Sequence, residues 1–124
     1  MEKLMERKTT LVDSARKFLE RRAELYNLVK IDTEGAELNA LIGLSETIDR
    51  DRPVIVSEFS PGMLPGISHC SGPEYLRYLI AKGYRIGVIE YDGSETGFGD
   101  DVAGVMGAYS RSGVELIDIV ATQE

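Results

Sequence analysis

Apolar residues along this chain alternate between a helical rhythm and short uninterrupted runs. Over residues 11–26, Leu11, Ala15, Phe18, Leu19, Leu25 and Tyr26 fall near one helical face, and Thr10 with Asp13 has capping-box spacing. An amphipathic helix is predicted there. Residues 28–32 read as a short strand with Leu28, Val29 and Ile31 as its apolar members, of the kind buried on both faces in a parallel sheet. A second helix is predicted over about 35–48, where Leu38, Leu41, Ile42, Ser45 and Ile48 make one stripe.

Pro53 opens the next strand, 54–59, at a position that does not yet need a ladder donor. The stretch "SPGMLPGISHCSG" reads as a loop. Ser71 and Glu74 have capping-box spacing with Pro73 in the first turn, so a third helix starts there and ends at Gly83, which suits a left-handed cap. "YRIGVIEY" (84–91) and "VELIDIVAT" (114–122) are the remaining strands, separated by a glycine-rich stretch with a short helix near 102–109. Strands alternating with helices imply right-handed crossovers, an α/β domain and a mainly parallel sheet with helices on both faces. The last connection holds less helix, so the final strand is expected to insert antiparallel.

The 124 residues suit one domain, 1–124, with an amino-terminal helix over 1–27. No apolar run approaches the ~20 residues of a membrane span, and the start "MEKLMERKTT" lacks the apolar core of a signal peptide. Cys70 is the only cysteine, which rules out an internal disulfide and points to a reducing cytoplasm. A net charge of −7 argues against nucleic acid as the main partner, because phosphate binding relies on clustered Lys and Arg. The basic residues of "ARKFLERRAE" are interleaved with acids and read as a solvated face.

Candidate chemistry sits where the apolar runs stop. Asp32 and Glu34 follow the first strand, Glu37 lies one helical turn on, and Glu58 is near the end of the second strand. Ligands of open parallel sheets bind outside the carboxyl ends of the strands, so acids closing neighbouring strands overhang one crevice. Gly35 between them suggests close backbone passage or an unusual dihedral. The same acids also admit plainer roles: helix-start carboxylates for Asp32 and Glu34, and an ion pair with Lys30 for Glu58. His69, the only histidine, is either a general base in the loop after the Glu58 strand or a solvated side chain. The His69–Cys70 pair has no orienting acid placed by sequence.

The stretch "LVKIDTEGAELNALIG", followed by "RPVIVSEFSPGML", resembles the FkbM-type methyltransferases, in which a lysine-hydrophobic-aspartate-x-glutamate-glycine strand end precedes an arginine-proline strand ending in glutamate. Lys30, Asp32, Glu34, Gly35, Glu37, Gly43, Pro53 and Glu58 stand in those places, and the likeness covers roughly residues 28–91. The resemblance implies half of a Rossmann-like fold and methyl transfer from S-adenosylmethionine to a hydroxyl of a small-molecule or glycan acceptor. It implies catalytic roles for Asp32, Glu34 and Glu58, with Asp32 and Glu34 also facing the cofactor, and on that reading His69 is the base candidate. It further implies the strand order: the 28–32 strand, the 54–59 strand, the last strand, then 84–91.

In that family three earlier strands build the cofactor site, the first ending in a glycine-rich loop. Residues 1–27 contain no glycine. "VIEYDGSETGFGDDVAG" does not replace the loop, because Val102 stands where the third glycine of G-x-G-x-x-G belongs. The expectation is therefore a carboxyl-terminal half that binds S-adenosylmethionine weakly or not at all alone. Its first strand would be an open edge, filled by an amino-terminal half or by a second copy in a homodimer. Two other classes remain open: a non-catalytic α/β binding or assembly module, and a magnesium-dependent, phosphatase-like enzyme using the same acids.

Overall fold

The computed structural model describes residues 28–123. The predicted amino-terminal helix over 11–26 and its Thr10–Asp13 cap lie outside the described residues. From Leu28 the chain runs β1 (Leu28–Ile31), α1 (Glu37–Gly43), α2 (Ser45–Asp51), β2 (Val54–Phe59) and a single helical turn α3 (Leu64–Ile67). It continues through α4 (Gly72–Ala81), β3 (Arg85–Ile89), β4 (Glu95–Gly99), α5 (Val102–Ser112) and β5 (Ile117–Thr122).

The strands form one sheet in the order β1-β2-β5-β3-β4. The first four members follow the expected order. The mainly parallel sheet does not hold: only β1–β2 is a parallel ladder, and β5 pairs antiparallel with β2 and β3 while β4 pairs antiparallel with β3. Since β2 and β3 both oppose β5, the strands β1, β2 and β3 share one direction. The reversal comes from β4. It carries the chain back down from the carboxyl edge, α5 returns it to that edge, and β5 must then run downward between β2 and β3.

The β4 strand was not expected from sequence. Residues 90–94 make a tight turn in which the Glu90 amide donates to the Ser94 carbonyl at 2.7 Å, and Asp92 Oδ1 accepts from the Ser94 amide at 2.8 Å and its hydroxyl at 2.6 Å. Gly93 turns at φ 86°, the left-handed freedom that an Asp-Gly pair supplies in hairpins. The predicted 35–48 helix divides into α1 and α2 at Leu44, while α4 keeps both bonds of the Ser71–Glu74 capping box and Gly83 has φ 93°.

Pleating sorts the sheet into two faces. Ile31, Ile55, Phe59, Ile86, Val88, Ile117, Ile119 and Ala121 share a core with Leu41, Ile48, Leu64, Tyr75, Leu76, Leu79 and Val105, so every described helix contributes to this one face. Helices on both faces are thus not found among the described residues. The opposite face carries a smaller buried cluster of Val54, Val56, Ile89 and Val120. Beneath the helical face, the Tyr75 hydroxyl meets Ser57 Oγ at 2.7 Å, and that hydroxyl in turn reaches the Glu58 carbonyl at 2.7 Å. Burial, more than the hydrogen bond opposing it, pushes the Tyr75 phenol well above its ordinary pKa. No described helix is long and apolar enough to cross a membrane.

Candidate functional site

The parallel pairing of β1 and β2 brings their carboxyl ends to one edge, with Ile31 beside Ser57. The acids that follow therefore meet at that rim, but in different environments. Asp32 and Glu34 are half-buried, whereas Glu58 is 1% exposed. A partly exposed cleft shared by all three is not what forms. Glu58 is the fifth residue of β2, so its carboxylate is carried into the sheet face rather than onto the loop. Lys30 lies beside Asp32, Nζ to Oδ2 at 3.8 Å. Residues two apart on a strand share a face, which brings the two side chains together.

Directly opposite Glu58 in the antiparallel ladder stands Asp118 of β5, 5% exposed. By alternation both belong to the face of Val56 and Val120. Sequence reasoning missed Asp118. The available signal was an acid interrupting the apolar run "LIDIVA", but its neighbour was set only once β5 entered beside β2. Asp32 follows Ile31, the last β1 residue paired with β2, and so sits at the same carboxyl rim.

The turn from β1 to α1 has unusual backbone. Glu34 has φ 54° and Gly35 φ 107°. Glu37, 0% exposed, accepts from the Thr33 amide at 2.9 Å, the Thr33 hydroxyl at 3.1 Å and the Gly35 amide at 2.9 Å. Gly35 lies against α3: a Cβ there would stand 2.9 Å from both Ile67 Cγ1 and the Met63 carbonyl oxygen. The buried Ser68 hydroxyl donates to the Gly35 carbonyl, and Asn39 Nδ2 donates to the Ile67 carbonyl at 3.3 Å. His69 follows, exposed and with φ 55°, on the same side of the molecule. Cys70 is buried, and desolvation, helped by the charges of Glu74 and Glu37, pushes its thiol pKa up. That opposes thiolate formation and hence nucleophilic chemistry at Cys70.

No three His, Cys, Asp or Glu side chains among the described residues come together in a metal-binding arrangement. The described residues also do not fit an S-adenosylmethionine cradle. Gly35 is packed against Met63 and Ile67, and Gly93 closes a hairpin, so neither strand-end glycine opens a helix toward a ligand. A polar groove of about 400 Å³, lined by Arg85, Glu95, Asp100, Thr122 and Gln123 among others, lies at the amino edge of the sheet, opposite the acids. Its glycine-rich wall is the β3–β4 hairpin.

No curated protein matches the chain, and no solved structure does. The methyltransferase FkbM domain matches residues 5–86, which spans β1 to the start of β3 and includes both acid-tipped strand ends. That match covers well over half of the chain and contains the Lys30–Glu37 turn in which the rim is built. The chain belongs to the FkbM methyltransferase family.

Proposed function

We infer that this chain carries the acceptor side of an S-adenosylmethionine-dependent O-methyltransferase, as a part lacking the glycine-rich cofactor loop. What supports the reading is that Asp32 and Glu34 follow β1 and buried Glu58 lies near the end of its parallel neighbour β2, inside the segment that matches the family. The bound cofactor would supply an electrophilic methyl group. Asp32 and Glu34, half-exposed beside the strand ends, would orient the acceptor hydroxyl and lower the cost of removing its proton. Glu58, buried in the adjacent strand, would act on Asp32 and not on the acceptor. His69 is exposed on the loop that touches the turn and is the candidate base.

The acceptor class is a small molecule or glycan bearing a hydroxyl. Cytoplasmic location and the absence of a nucleic-acid partner belong to the same reading, on charge and cysteine usage. The outer edge of β1 would be completed by an amino-terminal half or by a second copy of the chain.

The test is substitution in a full-length relative or in enzyme reconstituted from both halves. Asp32→Asn keeps size and removes charge, and is expected to lower turnover at least tenfold with little change in melting temperature. Glu58→Gln is expected to lower both. Full turnover in both variants, with only the melting temperature reduced, would make the acids structural and leave the second reading, a non-catalytic module. That second reading is favoured by one observation, the missing glycine cradle among the described residues.

A further inference from the structure

The Thr33–Gly35 turn is held from two directions by groups that the methyl-transfer reading does not use. On the α1 side, both Glu37 oxygens are occupied: Oε2 by the Thr33 amide and hydroxyl, Oε1 by the Gly35 amide. A carboxylate that is 0% exposed and so engaged cannot also reach an acceptor. It differs from an ordinary solvated helix-start acid, which stabilises mainly through the macrodipole. On the other side, Ser68 donates to the Gly35 carbonyl, and α3 presses on Gly35 through Met63 and Ile67.

Glu34 lies between these two holds in the left-handed region, which disfavours a residue with a Cβ. Released, its backbone would relax toward negative φ and swing its carboxylate, and with it the end of β1 that carries Asp32. We propose that Glu37 and Ser68 are positioning residues: together they lock the turn so that Asp32 and Glu34 present their carboxylates in one fixed direction. The lock also ties the two halves of the family motif together, because Glu37 follows β1 and Ser68 follows β2. The functional meaning of the lock rests on the acceptor-side reading above. Its geometry does not.

The experiment is nuclear magnetic resonance on the 124-residue chain with no methyl donor present, so its outcome is independent of turnover. In Glu37→Gln the side chain keeps one acceptor and loses the other. Amide exchange at whichever of Thr33 and Gly35 loses its acceptor is expected to quicken about tenfold, the factor set by one lost hydrogen bond. The carboxyl-carbon signals of Asp32 and Glu34 should move while the amides of Val56 and Val120 keep their protection. Thr33→Ser, which retains the hydroxyl donor, should restore the signals that Thr33→Val displaces. Where Glu37→Gln does not fold, Ser68→Ala releases the opposite side alone and must move the same two carboxyl signals. Unmoved Asp32 and Glu34 signals in a folded Glu37→Gln or Ser68→Ala protein would overturn the proposal. So would unchanged exchange at Thr33 and Gly35 in folded Glu37→Gln.

Discussion

Tyr75 illustrates what a single buried polar group contributes. Its hydroxyl sits under the sheet with Ser57 as partner, and its raised pKa means the folded state holds that proton more tightly than the unfolded chain. Stability from this group is complete below the ordinary tyrosine value near ~10 and is lost as pH rises through the higher folded value. Tyr75→Phe should cost about 1 kcal/mol at pH 7, the net worth of one hydrogen bond. Thermal melts from pH 8 to 11.5 should show the wild type losing stability above pH ~10 more steeply than Tyr75→Phe. Parallel curves would mean the phenol ionises without regard to folding. The acids of the rim obey the same logic of burial, with Glu58 and Asp118 enclosed and Asp32 and Glu34 reaching water.

Among the elements, α4 is the one whose boundaries sequence chemistry defines most fully. Ser71 Oγ accepts from the Glu74 amide at 3.2 Å, and Glu74 Oε1 accepts from the Ser71 amide at 2.9 Å. These bonds hold the Glu74 carboxyl below its usual pKa, so this contribution is present at neutral pH and lost as pH falls through the lowered value. Ser71→Ala should destabilise the protein by about 1 kcal/mol in denaturant titration at pH 7. Glu74→Gln removes the charge on the other half of the box, and its cost at pH 7 should vanish in acid, where the wild-type Glu74 is itself protonated. A Glu74→Gln protein as stable as the wild type at pH 7 would show that the Glu74 carboxylate adds nothing to the box. The β4 hairpin is the opposite case. Its Asp-Gly turn was present in the sequence, but "SETGFG" is too polar and glycine-rich to announce a strand, and pairing with β3 is what makes it one.

At the scale of the whole molecule, two features of the described residues belong together: no strand-end glycine opens a helix toward a ligand, and β1 is the outermost strand. On the acceptor-side reading, the described residues leave the cofactor side to be supplied by others. Isothermal titration of the 124-residue chain with S-adenosylmethionine should therefore show no saturable binding below about 1 mM, a binding free energy weaker than ~4 kcal/mol. Micromolar affinity at one site per chain would show that the described residues, with residues 1–27, suffice. Size-exclusion chromatography of the same sample would separate a second copy at the β1 edge from a monomer.

By itself the sequence determined whatever depends on near neighbours. Apolar runs specified β1, β2, β3 and β5, the capping box and Gly83 bounded α4, and the two-part motif identified the family and the acids that end β1 and β2. These follow from backbone preference and side-chain periodicity, which act over a few residues. Tertiary structure decided which acids are buried and that Asp118 stands beside Glu58. It also decided that the sheet is mixed, because strand direction is set by how many times the chain has crossed the sheet. Each of those outcomes depends on which residues distant in sequence become adjacent, and the register that joins them exists only once the strands have paired.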